Sequence, residues 1–169
     1  MAGGLFYHDV LSALTGAGVP FVVVGGIAVN LQGVPRFTAD VDIAVAIDGG
    51  VLARVADVLD GLGLRSRLPV TRAELADASV VRGWIAERNV KAITFVDPKE
   101  PLREVDLVVA SPVPYGDIER TAVKMSAAGV SFPVASIDVL IRMKSGTDRA
   151  QDASDVDALR RVQEATRAT

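Results

Sequence analysis

Apolar residues recur along this chain at two spacings, and the switches between them mark out its elements. Over residues 5–15, Phe6, Val10, Leu11 and Leu14 form one stripe and predict a helix that Gly16 and Gly18 end. Phe21, Val22, Val23 and Val24 are a continuous run of β-branched type, as in a strand covered on both faces. Gly25-Gly26 follows directly, and residues 27–31 suit a short helix stopped by Gly33 and Pro35. Residues 42–47 alternate and predict a strand. The clearest helix spans 51–62, where Val51, Leu52, Val55, Val58, Leu59 and Leu62 share a face and Gly61 and Gly63 stand behind.

The second half is more mixed. Residues 64–68 read as a strand and 71–89 as one or two helices, with Trp84 and Ile85 packing against a sheet. Two strands, 91–96 and 104–110, flank the turn Asp97-Pro98-Lys99-Glu100-Pro101. A loop at 112–116, a short helix at 117–122 and weaker strands at 123–125 and 130–134 come next. Ser136 reads as the N-cap of a helix running to Lys144, and Asp152 or Ser154 as the cap of a last helix ending at Thr166. The pattern predicts one α/β (α+β) domain over 1–169, a mixed sheet flanked by helices with those at 136–166 packed on it.

Composition narrows this picture. Half of the 169 residues are hydrophobic and 23% are charged, which fits a packed domain rather than disorder. Mean hydropathy is high, at +0.34, but the most apolar stretch, 19–34, is too short and too broken by Pro20, Gly25, Gly26 and Gly33 to cross a bilayer. The start of the chain lacks a basic, signal-like region, so a cytoplasmic protein away from membranes is expected. There are no cysteines, which leaves carboxylates and His8 as the strong metal ligands; His8 reads as a surface residue of the first helix. A net charge of −3 gives no bulk attraction for nucleic acid.

The candidate chemistry lies in three aspartates. Asp40 and Asp42 stand two apart at the entry to a strand, so both side chains face one way. In Glu104-Val105-Asp106-Leu107-Val108-Val109, Asp106 alternates against apolar neighbours. If the two strands are adjacent, Asp106 joins the pair. Like charges about 4 Å apart repel by roughly 4 kcal/mol at an effective dielectric near 20, so such a cluster must protonate or bind cations. All-oxygen ligands suit magnesium or manganese. The alternative for Asp40 and Asp42 is turn formation at a strand entry. It explains Asp106 poorly, since an unpaired carboxylate inside an apolar strand is costly.

The Gly25-Gly26 turn between strand and helix could seat phosphate on backbone N–H groups, or could simply be a tight turn. No G-x-G-x-x-G and no Walker A pattern occurs.

A strand ending in Gly-Gly, a short helix, Gly33-Val34-Pro35-Arg36-Phe37-Thr38-Ala39-Asp40-Val41-Asp42 and a later lone Asp106 together resemble the DNA polymerase β-type nucleotidyltransferase superfamily. The order is most similar to the minimal, AbiEii-like bacterial members, some of them toxins of toxin–antitoxin pairs. The resemblance covers about residues 21–159. It implies the nucleotidyltransferase fold and transfer of a nucleoside monophosphate from an NTP, such as ATP, to an acceptor hydroxyl on tRNA or other RNA, protein or a small molecule. It implies that Asp40, Asp42 and Asp106 bind the metal ions, with Asp106 near the attacking hydroxyl, and that Gly25 and Gly26 hold the triphosphate. Many superfamily members have Gly-Ser there. Lys144 resembles a basic residue that neutralises triphosphate charge, and Arg149, Asp152 and Asp155 resemble the segment following it. Arg36 and Thr38 either position phosphate or fix the loop before Asp40. A second reading is a non-catalytic module of the same fold that binds a nucleotide or a partner protein such as an antitoxin.

Overall fold

The structure, a computed structural model, describes residues 6–169, and side chains from residue 7 onward. The first helix, α1 (Phe6–Gly16), turns Val10, Leu11 and Leu14 into the core. Leu5 and the side chain of Phe6, both assigned to this helix by the pattern, lie outside what is described.

The Val22–Val24 run forms β1, with all three valines buried, as a strand covered on both faces requires. It passes straight into α2 (Gly25–Leu31). Then come β2 (Val41–Ala44), α3 (Val51–Gly61), β3 (Arg65–Ser66), α4 (Arg72–Ala76), α5 (Ala78–Arg88), β4 (Ala92–Val96), β5 (Glu104–Val108), α6 (Tyr115–Arg120), β6 (Val123–Ala127), β7 (Val130–Val134), α7 (Ile137–Lys144) and α8 (Ala150–Arg167).

The strands form one mixed sheet in the order β3-β4-β5-β2-β1-β7-β6. Strands β2 and β5 run parallel, as do β1 and β7, while the other neighbours are antiparallel. Helix α1 packs on β7 and α3, α2 lies against β1 and β2, and α7 joins α2 to α8. Val41, Ile43, Val105 and Leu107 are all fully buried, so the centre of the sheet is anchored in the core where β2 and β5 meet.

The local differences from the pattern have local causes. Residues 71–89 divide into two helices because Asp77 ends α4 and its side chain accepts from the backbone N–H groups of Ser79 and Val80 at the start of α5. Thr71 and Glu74 complete a capping box on α4. Strand β2 stops at Ala44 rather than at 47, four residues before the Asp48-Gly49-Gly50 turn, where both glycines have positive φ. The 64–68 segment keeps only Arg65 and Ser66 in the sheet, paired at its edge to Phe95 and Val96. Helix α6 starts at Tyr115, inside the stretch expected to be loop, since Pro114 suits the position before a first turn. Trp84 and Ile85 do pack against the core.

Among the described residues, no helix is long and apolar enough to cross a membrane.

Candidate active site

Parallel pairing of β2 with β5 sets Asp42 opposite Asp106 in register. Both line a cavity of about 460 Å³, together with Asp40, Gly25, Gly26, Arg36, Thr38 and Lys144. Asp40 is exposed at the entry to β2, whereas Asp42 is half-buried. Burial pushes the Asp42 carboxyl up to about 6, and the charges of Asp106 and Asp40 push the same way. Lys144 and the Gly26 backbone N–H, which donates to Asp42, pull it back only in part.

Asp106 is fixed from the side. Thr94, its partner across β4 and β5, donates its hydroxyl to Asp106 Oδ1 at 2.5 Å. Thr94 escaped the motif reading. Its signal is the alternation of β4, where Ile93 and Phe95 face the core and Thr94 takes the other side.

The glycine pair matters through what lies against it. Gly25 has φ of +66°, and a Cβ there would fall on the Asp42 side chain, 2.6 Å from its Cγ. At Gly26 a Cβ would sit 2.6 Å from Thr38 Oγ1 and 3.2 Å from Arg36 Cζ. The space that a serine at 26 would need is therefore held by the hydroxyl of Thr38. The two glycines allow β2 and the loop before it to close onto the start of α2.

That loop is tied down at Arg36. Its backbone N–H donates to Asn30 Oδ1 at 2.8 Å, and its guanidinium reaches Asp155 Oδ2 at 2.5 Å. Lys144 Nζ lies 2.9 Å from the same Asp155 oxygen and 3.0 Å from Asp152 Oδ1. Thr147 donates to Asp152, and Gln151 to Asp155. Burial alone would raise both carboxyls. The hydrogen bonds from Thr147 to Asp152, from Gln151 to Asp155 and from Lys144 to both outweigh burial, and both stay below the usual carboxylate range.

This overturns the expectation that Asp152 or Ser154 caps the last helix. Helix α8 begins at Ala150 with Arg149 as N-cap, and Asp152 instead turns inward to Lys144. Four cations face the cavity: Arg36, Lys91, Lys144 and Arg149. Two other arginines are engaged elsewhere: Arg82 pairs with Asp48, and Arg88 lines a separate hollow beside Trp84.

The oxygen-only donor set, with one carboxyl raised by burial and then by its acidic neighbours, fits a hard divalent cation. Among the described residues, no three His, Asp or Glu side chains are gathered tightly enough to enclose an ion by themselves. Magnesium needs only one or two carboxylates when water and phosphate complete its shell, so the Asp42–Asp106 pair suffices in kind.

The sequence matches no family model and no curated protein. Solved structures do match in shape. The lincomycin-bound lincosamide antibiotic adenylyltransferase LnuA aligns over 93% of this chain and 96% of its own, with a TM-score of 0.62 and 15% identity. The antibiotic-resistance factor ANT(2'')-Ia aligns over 96% and 91%, with a TM-score of 0.54 and 16% identity. A nucleotidyltransferase-like protein from Paracoccidioides brasiliensis aligns over 92% and 74%, with a TM-score of 0.51 and 17% identity. The chain has the nucleotidyltransferase fold. At these identities the likeness concerns fold, and the chemistry must be argued from the cavity.

Proposed function

We propose that this chain is a divalent-cation-dependent nucleotidyltransferase, moving a nucleoside monophosphate from an NTP to an acceptor hydroxyl. The observation that carries the reading is the in-register pair Asp42 and Asp106 on adjacent parallel strands, inside a cavity that also presents Gly25, Gly26, Arg36 and Lys144. The fold shared with adenylyltransferases supports it.

In this reading Asp42 and Asp106, with Asp40 at the rim, hold magnesium or manganese. When bound, the ions supply charge neutralisation at the triphosphate and activation of the acceptor oxygen. Lys144 and Arg36 face the phosphates, held in place by Asp155. Gly25 and Gly26 let the chain come close to them, and Thr38 offers the hydroxyl beside Gly26. The acceptor oxygen bonds to the α-phosphorus as the bond to the α,β-bridging oxygen breaks. The electron pair leaves with pyrophosphate, and the acceptor proton passes to Asp106, which Thr94 holds in orientation.

The finer reading, an AbiEii-like enzyme working opposite an antitoxin protein, rests on the motif resemblance alone. A non-catalytic nucleotide- or partner-binding module is the second reading. It is favoured by Gly26, which presents no side-chain hydroxyl where the superfamily resemblance implies serine in many members.

Titration calorimetry with Mg–ATP tests the site. Wild type should bind, and Asp42→Ala should lose about tenfold or more, near 1.4 kcal/mol. Undiminished binding by that variant would overturn the assignment. Incubation with α-labelled NTPs and candidate acceptors then separates the two readings: incorporation marks an enzyme, whereas nucleotide binding without incorporation marks the module.

A further inference from the structure

A second cavity, of about 470 Å³, is lined by Phe37, Thr38 and Ala39 of the segment leading to Asp40. It shares Thr38 with the carboxylate cavity and reaches Ala39, the neighbour of Asp40. Strand β5 runs from one to the other. The turn before it supplies Glu100, Leu102 and Arg103 to the second cavity, while Asp106 and Val108 on the strand and Ala110 just past its end line the first.

In-line displacement at phosphorus needs the attacking oxygen and the leaving pyrophosphate on opposite sides of the reacting centre. Two ligand-sized hollows that share Thr38, two residues before Asp40, suit that requirement. Resting on the nucleotidyltransferase reading, we propose that the second cavity seats the acceptor, and that this acceptor is a small hydroxylated molecule with an apolar body.

The walls define the class. Ile27 and Leu31 form the floor on α2, and Phe37 and Leu102 stand at the mouth, 90% and 83% exposed. They are by far the most exposed large hydrophobic residues among those described, and both belong to this one hollow. Exposed apolar side chains gathered at a cavity mark a binding surface rather than a packing requirement. The cavity's single carboxylate, Glu100, already lies 2.9 Å from Arg103 Nε, so the lining is near charge balance. A polycationic sugar would need several acidic partners, and an RNA end a row of cations. An uncharged amphiphile needs neither.

The probes are phenyl β-glucoside, which carries hydroxyls and an apolar body, methyl β-glucoside, which lacks that body, and tobramycin, a polycation. Amide and methyl signals of isotope-labelled protein are followed by NMR. Phenyl glucoside should shift Ile27, Leu31 and Leu102, and methyl glucoside and tobramycin should bind about tenfold more weakly or not at all. Saturating Mg–ATP should leave phenyl glucoside affinity within about threefold, because two seats are filled at once. The double variant Phe37→Ser/Leu102→Ser removes only exposed side chains, so its fold should persist; it should lose about tenfold in phenyl glucoside affinity while keeping that for Mg–ATP.

Equal binding of the three probes, displacement of phenyl glucoside by Mg–ATP, or full affinity in the double variant overturns the proposal. Failure of wild type to bind Mg–ATP would strike the nucleotidyltransferase reading itself. The phenyl glucoside shifts report on the second cavity independently of that result.

Discussion

Lys144 and Asp155 form a nearly buried ion pair at 2.9 Å, and the same Asp155 oxygen receives Arg36 at 2.5 Å. One carboxylate on α8 thus positions a cation from α7 and another from the loop leading to β2, both at the wall of the carboxylate cavity. Removing ions from water costs several kcal/mol each, so this cluster is weak evidence for stability and good evidence for placement.

The ranking of variants follows from who keeps a partner. Asp155→Ala leaves Arg36 without its carboxylate and Lys144 with Asp152 alone, and should destabilise by about 3–5 kcal/mol in urea denaturation. Lys144→Met leaves Asp155 paired with Arg36 and should cost less, about 1–3 kcal/mol. A Lys144→Met variant less stable than Asp155→Ala would show that Asp155 is not the hub.

Asp42 gives a pH signature. Its carboxyl is raised to about 6 in the folded chain, from an ordinary value of 3.8. The folded state therefore holds this proton more tightly than the unfolded state, and stability falls as pH rises through the interval between the two values. The loss is at most about 3 kcal/mol, and less once water screens this half-buried group. Asp42→Asn should be more stable than wild type at pH 8 by about 1–3 kcal/mol, with the gap closing below about pH 4. Millimolar magnesium should narrow that gap at pH 8 by stabilising only the wild type. Thermal denaturation at the two pH values, with and without the ion, checks both parts; a gap of equal size at pH 4 and pH 8 would refute the account.

The strands and the acidic positions were legible because their signals are local. Period-two alternation put Asp42 and Asp106 on strands, and β-branched valines marked β1 as buried. That β2 and β5 would pair in register is a long-range fact that alternation cannot encode. Asp152 shows the same limit from another side. An aspartate near a helix start satisfies the capping rule, and only α7 packing on α8 shows that Lys144 claims it. Thr94 was invisible because a threonine on a half-buried strand is ordinary until its cross-strand partner is known to be an aspartate.

Gly25 and Gly33 form a controlled comparison, since both have positive φ, +66° and +101°. Nothing lies within 4 Å of a Cβ built on Gly33, while one on Gly25 meets Asp42. Gly33→Ala should cost only the backbone strain, about 1–2 kcal/mol, and leave Mg–ATP binding intact. Gly25→Ala carries the same strain and also displaces the carboxylate, so Mg–ATP affinity should fall by about tenfold or more. Denaturation and calorimetry on both variants separate strain from site damage. Equal loss of nucleotide binding in the two would mean that the Gly25–Asp42 contact is irrelevant.

Thr38 offers the last test, because its hydroxyl occupies the place where a residue at 26 would project. Placing at 26 the serine that the superfamily resemblance implies for many members should therefore harm this chain. Gly26→Ser sets two side chains against each other and pushes Thr38 and Arg36 aside, so Mg–ATP binding should weaken by about tenfold. Thr38→Ala alone loses one hydroxyl and should weaken binding by about 0.5–1.5 kcal/mol. The double variant Gly26→Ser/Thr38→Ala relieves the overlap and returns a hydroxyl to the same corner, so it should bind better than Gly26→Ser. That sign of coupling, read from the four calorimetric affinities, is what contact between the two positions requires. Additive losses would mean that the 26 and 38 side chains do not share one space.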